Sequence, residues 1–235
     1  MPGARSRRAL ALAAAALAAL LAGLAPPPRG AAASTLLDFV TLDGIDYIRW
    51  QDEPGRALAP GDLGAEFATV ACSIGEDPRC AYGQDAAAAF LPAGSRLYAV
   101  RGYATEFRLA AVVGGRVFLY QAWKNPRARR GADLFDIAGK VRGVDVRRSL
   151  AVAPPEGPAR AASPADADAL VAMILRGAPA APRPHPPGEE RYWLTLWLAD
   201  GTALNRPYFA EASELLGGLA LPPEFRAVLD RYASE

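Results

Sequence analysis

The residue types that most often perform chemistry in enzymes are scarce in this sequence of 235 residues. The only histidine, His185, lies in a proline-rich stretch, residues 183–187, which we predict to be an exposed linker. A catalytic triad or a histidine-rich metal site needs an imidazole that is fixed in a packed pocket. The sequence also lacks a nucleophile elbow, a zinc-protease helix, a phosphate-binding loop and a dinucleotide fingerprint. We therefore expect no catalytic residue, no metal site and no cofactor.

Carboxylate chemistry is the enzymatic alternative that these residues leave open. A glycosidase needs only two acids at a suitable separation, and the chain has 25 aspartates and glutamates. Most of them lie beside predicted turns or on helix faces, as solvated acids do. Asp43 and Asp200 belong to predicted turns, and Asp166 belongs to a predicted helix cap. A carboxylate-based hydrolase therefore stands as the alternative to a non-enzymatic protein.

A basic segment, residues 124–148, is the better candidate for binding. It contains eight basic and three acidic residues, a net charge of +5, whereas residues 34–123 and 149–235 each carry −4. Such a segment can hold an anionic partner such as a wall polymer, or it can be a solvated face near the acids on either side. The candidate anion-binding residues are Lys124, Arg127, Arg129, Arg130, Lys140, Arg142, Arg147 and Arg148.

Residues 1–33 have the pattern of a signal peptide. Three arginines, at positions 5, 7 and 8, precede an uncharged Ala/Leu run of 17 residues, and Ala31-Ala32-Ala33 fits a cleavage site. We expect a secreted, extracytoplasmic protein with no membrane span after cleavage; the alternative is anchoring by an uncleaved N-terminal segment. Without the leader the net charge is −3, so we expect no nucleic-acid partner.

The two cysteines, Cys72 and Cys80, are separated by seven residues. In an exported protein, two cysteines at this spacing predict a disulfide.

Three hairpins are predicted from glycine turns between strands of alternating character. Gly114-Gly115 joins the two strands of residues 106–123, Asp43-Gly44 joins 37–42 to 45–50, and Asp200-Gly201 joins 191–199 to 202–209. Pairing outward from Gly114-Gly115 places apolar residues on one face, namely Phe107, Leu109, Ala111, Val113, Phe118, Tyr120 and Ala122.

Two helices are predicted in the C-terminal part of the chain. Ser163-Pro164-Ala165-Asp166 is a helix start, and a helix from there reaches Arg176. Pro222-Pro223 begins a terminal helix. The predicted class is α+β, with an antiparallel β-rich unit over 34–150 and a helix–β-hairpin–helix unit over 151–235.

Several short motifs carry a resemblance to a known group. They include Asp43-Gly44-Ile45-Asp46-Tyr47, Leu91-Pro92-Ala93-Gly94-Ser95, Phe107-Arg108-Leu109-Ala110 and Leu221-Pro222-Pro223-Glu224-Phe225. Together they resemble a group of uncharacterised exported proteins and lipoproteins of Gram-positive bacteria. The resemblance implies an exported α+β protein and brings no catalytic residue. Leu24 stands where a lipoprotein would place its modified cysteine, so this chain departs from the group there.

The sequence as a whole predicts a non-enzymatic protein of the cell envelope that binds a ligand or partner through its surface. The expected partner is another envelope protein or an anionic wall polymer. An inhibitory or sensory module for another envelope protein, acting through an exposed strand edge, is a further alternative.

Overall fold

Two largely antiparallel sheets and two helices make up the described part of the chain, so the predicted α+β class is confirmed. The computed structural model describes residues 37–50, 54–150, 159–181, 183–186 and 188–232. The predicted signal peptide, residues 1–33, lies outside the described residues.

The first sheet has eight strands, and every pairing in it except that of β4 with β5 is antiparallel. Its strands are β1 (Phe39–Leu42), β2 (Ile45–Ile48), β3 (Leu63–Thr69), β4 (Cys72–Ser73), β5 (Ala87–Ala88), β6 (Arg96–Val100), β7 (Arg108–Val113) and β8 (Arg116–Lys124). They are hydrogen-bonded in the order β3-β6-β7-β8-β2-β1-β5-β4. The two outer strands, β3 and β4, are consecutive in the chain and only two residues separate them. The two edges of the sheet therefore lie close together at this point.

The central hairpin of the first sheet is confirmed in its turn and its register. Gly114 and Gly115 have φ angles of 57° and 77°, and Leu109 pairs with Tyr120. Positive φ at both turn positions is what a two-residue hairpin requires and what glycine allows without strain. Phe107, Leu109 and Tyr120 are each at most 1% exposed, so the predicted apolar face is an interior face.

The second sheet has seven strands in the order β10-β9-β12-β13-β14-β15-β11. They are β9 (Val141–Ser149), β10 (Arg160–Ala161), β11 (Ala178–Pro179), β12 (Arg191–Leu198), β13 (Ala203–Phe209), β14 (Glu214–Leu215) and β15 (Leu219–Ala220). The hairpin predicted around Asp200-Gly201 is confirmed as β12 and β13. The division after residue 150 stays a prediction; β9, which precedes it, pairs along its length with β12, which follows it.

Two helices cover the core face of the second sheet. They are α1 (Pro164–Arg176) and α2 (Pro223–Leu229). The Ser163 hydroxyl accepts a hydrogen bond from the Asp166 N–H at 3.2 Å, as the predicted cap requires. Leu170 of α1 and Phe225 of α2 are fully buried in the same apolar cluster as the sheet residues Leu194 and Leu196.

Buried polar side chains join the first sheet to the β12–β13 hairpin. The Arg108 guanidinium is fully buried and donates to the Thr202 hydroxyl at 2.7 Å and to the Ala203 carbonyl at 2.9 Å. Asp200 lies 3.8 Å from the same guanidinium. Burial alone raises the pKa of Asp200, but hydrogen bonds from the Thr202 hydroxyl and N–H outweigh it and hold the pKa below its usual value. This network fixes where the tip of the hairpin sits.

The predicted disulfide is confirmed. Cys72 and Cys80 are bonded, with their Cα atoms 5.9 Å apart, and the bridge ties the first residue of β4 to the loop that follows the strand.

We expect the double substitution Cys72→Ser/Cys80→Ser to lower the free energy of unfolding by about 2.6 kcal/mol. Without the bridge the unfolded chain gains the conformational entropy that closing so short a loop removes. Urea unfolding of the oxidised protein and of the variant measures the difference. Wild type that has been reduced before unfolding is the control and should match the variant. A change below about 1 kcal/mol would show that the bridge contributes little to stability.

Candidate functional site: a basic groove and a buried histidine cluster

The eight candidate anion-binding residues do not form one patch. Four of them, Lys124, Arg127, Arg129 and Arg130, lie at the end of β8 and in the loop that follows. The others lie along or beside β9, where Lys140 and Arg148 are about 26 Å apart if the strand rises 3.3 Å per residue. The structure therefore separates a basic loop from a basic strand.

Half of the eight are neutralised by acids. Ion pairs join Arg127 to Asp43 at 3.1 Å, Arg130 to Asp133 at 3.5 Å, Lys140 to Asp136 at 2.6 Å and Arg148 to Glu190. Surface pairs of this kind add little stability, but each cancels much of the charge that an anionic ligand would meet. These four cations are therefore weak candidates for binding.

Lys124, Arg129 and Arg142 take part in none of the ion pairs among the described residues. Arg147 is half-buried on β9 and makes other contacts. Lys124 and Arg129 line one cavity of about 390 Å³, which we call the basic groove. Its other walls are formed by Asn125, Pro126, Ala128, Leu134, Pro179, Ala180, Ala181 and Gly217.

The near wall of the basic groove is a loop held by its own polar groups. The Asn125 side-chain oxygen accepts the N–H of Arg127 at 3.0 Å, and Asp133 accepts the N–H of Arg129 at 2.8 Å and that of Arg130 at 3.1 Å. The bond from the Arg129 N–H is the main reason why the pKa of Asp133 lies below its usual value. Asp133 thus binds the backbone of Arg129, and no ion pair joins it to the Arg129 guanidinium.

Close backbone contacts place this loop against the end of α1. The Gly131 N–H donates to the Gly177 carbonyl at 2.8 Å. A Cβ at Gly131 would lie 1.8 Å from the Ile174 carbonyl oxygen, a separation that no side chain can occupy. Glycine is therefore required at position 131 for the loop to lie where it does.

The far wall of the basic groove is formed by the segment after α1 and by the turn between β14 and β15. Pro179 pairs with Leu219, and the Ala180 N–H donates to the Gly218 carbonyl at 2.6 Å. Gly217 approaches the Trp123 carbonyl so closely that a Cβ would lie 2.5 Å from its oxygen. The groove thus lies where three distant parts of the chain meet.

The lining of the basic groove contains two cations, no carboxylate and several apolar side chains. This combination can hold an anionic group while the apolar walls contact the neutral parts of the same ligand. Charge counting in the sequence located the segment. It could not identify Lys124 and Arg129 within it, because the acids that neutralise Arg127 and Arg148 are distant in sequence.

The prediction for His185 is wrong, because the residue is not an exposed linker side chain. Its side chain is 13% exposed, and its ring is stacked on Phe209 with 3.4 Å between the ring centroids. Nδ1 lies 3.0 Å from Glu189 Oε2, and Nε2 lies 3.6 Å from Glu214 Oε1. Proline-rich composition describes only the local backbone, and it does not reveal that β13 and β14 supply a ring and a carboxylate for the imidazole.

Two arginines complete this arrangement, which we call the histidine cluster. Arg183 lies 3.6 Å from Glu214 Oε2, and buried Arg191 lies 5.4 Å from the centre of the Phe209 ring. The side chains of Glu189 and Glu214 are only 3% and 1% exposed. Since the imidazole and both carboxylates are packed against protein, we interpret the cluster as an anchor for its chain segment.

Within the described ranges, no group of three or more His, Cys, Asp and Glu side chains has the arrangement of a metal site. None of the helices in the part of the chain that the structure describes has the length and apolar character to cross a bilayer.

Comparison with protein-family models, with curated proteins and with solved structures found no match for this chain.

Proposed function

We propose that this is an exported protein of the cell envelope that binds an anionic polymer in the basic groove. The observation that carries the proposal is that Lys124 and Arg129 share one cavity and have no acidic ion-pair partner among the described residues. Export rests on the signal-peptide pattern of residues 1–33. A polymer with anionic groups at intervals can contact both cations, while Pro126, Pro179 and Ala180 pack against its neutral backbone.

Binding without catalysis is the role that the geometry favours. The place where an imidazole meets two carboxylates, the histidine cluster, is buried, and its side chains are already engaged with each other. An active site needs an approach for the substrate to its acid and base. A carboxylate-based hydrolase therefore receives no support from this cluster.

We also propose that the chain keeps the predicted arrangement of a β-rich N-terminal unit and a C-terminal helix–hairpin–helix unit. The support is the order of elements: all eight strands of the first sheet precede residue 125, and α1, the β12–β13 hairpin and α2 follow residue 163 in that order. In this arrangement β9 joins the two units, because it pairs with β12.

The double substitution Lys124→Gln/Arg129→Gln should weaken binding to a sulfated polymer about tenfold or more at moderate salt, because each cation near an anionic surface contributes about 1 kcal/mol. Retention of the exported protein on immobilised dextran sulfate, eluted with a salt gradient, measures the change. The matched control is Arg116→Gln/Arg142→Gln, which removes the same charge from two exposed positions outside the groove.

The control pair should elute close to wild type, within about a twofold change in affinity at moderate salt, where distant charges are screened. Equal losses in both double variants would mean that net charge alone holds the polymer. Retention of the Lys124→Gln/Arg129→Gln variant at the wild-type salt concentration would exclude the groove as the binding site.

A further inference from the structure

Among the described residues that line the basic groove, Asn125 is the one with an uncharged polar side chain. It follows Lys124 directly in the chain and precedes Arg129 by four residues. Only 9% of Asn125 is exposed, whereas both cations are exposed. Buried polar side chains usually have hydrogen-bond partners, so both ends of this amide need an account.

The main chain fixes the orientation of the Asn125 side chain. The Arg127 N–H donates to the side-chain oxygen at 3.0 Å, and the Ala128 N–H donates to the main-chain carbonyl of Asn125 at 3.1 Å. Because an N–H can donate only to the oxygen of an amide, the atom that faces Arg127 is Oδ1, and Nδ2 points away from it. The amino group is therefore held in one direction, and little rotamer freedom is lost when a ligand binds to it.

The amino group of Asn125 is available to a ligand. In the part of the chain that the structure describes, it has no hydrogen-bond acceptor, and it is not sealed from solvent. An amide nitrogen of this kind carries two N–H donors. A side chain that is nine-tenths buried and keeps both donors at the wall of a cavity is suited to a ligand atom that accepts hydrogen bonds.

Asn125 also borders a second cavity, of about 350 Å³. The wall of that cavity contains the carboxylates of Glu106 and Asp133, and its one cation is already paired with an acid. Carboxylates at the wall disfavour an anion there, whereas the basic groove supplies two cations that have no acidic partner among the described residues. A negatively charged acceptor therefore approaches the Asn125 amide from the basic groove.

The polar side chains of the basic groove offer donors to a ligand. Lys124 and Arg129 can only donate, and the oxygen of Asn125 is occupied by the Arg127 N–H. A sulfate ester or a phosphate diester carries a negative charge, has no proton of its own at neutral pH and presents oxygens that only accept. Such a group matches all three side chains.

We infer that the Asn125 amide is a specificity-determining donor of the basic groove, and that the group it selects is the oxyanion of a sulfate ester or phosphate diester. This inference rests on the proposed function of the groove. Lys124 and Arg129 attract the polymer, and the fixed amide favours an acceptor oxygen at one place in the cavity. A hydrogen bond between this amide and an anionic oxygen is charge-assisted and therefore strong.

Asn125→Asp tests the amide separately from the turn. The new carboxylate can still accept the Arg127 N–H, but the two donors are replaced by an anionic acceptor. We expect the variant to bind dextran sulfate and poly(glycerol phosphate) about tenfold or more weakly than wild type at moderate salt, because a hydrogen bond to a charged group is lost and a like charge is added. Isothermal titration calorimetry measures both affinities, and the polymer that wild type binds more tightly identifies the preferred ester.

Gln84→Glu is the matched control. Gln84 is exposed and lies outside the groove, and its side-chain oxygen accepts the Ala81 N–H at 3.3 Å. The substitution therefore also replaces an amide by a carboxylate that keeps a main-chain donor. This variant should bind both polymers within about twofold of wild type at moderate salt, where distant charges are screened.

A second measurement uses wild type alone. The side-chain ¹⁵N–¹H₂ resonances of Asn125 are followed while either polymer is added. We expect a saturable downfield shift of at least one of the two protons, because an N–H that donates to an anionic oxygen is deshielded. The side-chain amide of Gln84 is the internal reference and should not shift.

The possible results distinguish the role of Asn125 from the function of the groove. If Asn125→Asp binds as tightly as the control while the Lys124→Gln/Arg129→Gln variant loses binding, the groove binds anions without this amide and the inference is overturned. Asn125 side-chain resonances that stay fixed while the polymer binds would also overturn it. If wild type binds neither polymer, the proposed function fails, and the inference fails with it.

Discussion

Gly131→Ala is expected to lower the free energy of unfolding by about 3 kcal/mol or more. The new Cβ would lie 1.8 Å from the carbonyl oxygen of Ile174 and 2.9 Å from its carbonyl carbon. Both are backbone atoms, so no change of rotamer relieves the contact. The loop must move away from the end of α1 and give up the hydrogen bond from the Gly131 N–H to the Gly177 carbonyl. Urea unfolding measures the loss.

Gly143→Ala is the matched control, because it makes the same change within β9. A Cβ at Gly143 would meet nothing within 4 Å. Its effect should stay within about 0.5 kcal/mol, or be slightly stabilising because alanine restricts the unfolded chain. If Gly131→Ala were as mild as Gly143→Ala, the placement of the basic loop against α1 would be incorrect, and with it the near wall of the basic groove.

Arg108→Ala is expected to destabilise the protein by about 3–5 kcal/mol, which for a chain of this size corresponds to a fall in Tm of roughly 10 °C. The substitution removes a fully buried side chain and its bonds to Thr202 and Ala203. It also removes a guanidinium that lies 4.5 Å from the centre of the Tyr103 ring. Thermal and urea unfolding both report the change.

Arg108→Met separates packing from hydrogen bonding at the same site. Methionine fills most of the volume of the arginine side chain. The Ala203 carbonyl still accepts a hydrogen bond from the Gln121 side-chain amide at 3.1 Å, and the Thr202 hydroxyl still donates to Asp200 at 2.7 Å. We expect a loss of about 1–2 kcal/mol, clearly smaller than that of alanine. Exposed Arg142→Ala is the control and should change stability by less than about 0.5 kcal/mol. If Arg108→Ala left the free energy of unfolding unchanged, the buried network would not be what holds the hairpin to the first sheet.

The hairpins were predictable because their determinants are local. At Gly114-Gly115 a two-residue turn and the alternation beside it fix the register of the strands, and β7 and β8 follow that register. The order of strands in a sheet depends on contacts between distant residues. No residue pattern near β3 or β4 indicates that these consecutive strands form the two opposite edges of the first sheet.

The candidate site was predictable only in part, for the same reason. Net charge located residues 124–148, but the pairing of Arg127 with Asp43, 84 residues away, is a tertiary contact. For His185 the sequence held one usable signal, Glu189 four residues later, which the imidazole does contact. The contribution of Glu214 becomes visible only once β14 is placed.

The most direct test of the basic groove is a map of where a bound anion contacts the protein. Amide chemical shifts of the protein are followed during titration with a short dextran sulfate oligomer at low salt. We predict saturable shifts that are largest at Lys124, Arg129, Ala180, Ala181 and Gly217. Shifts that are largest at Arg142 and the rest of β9, or no saturable shifts at all, would contradict the account.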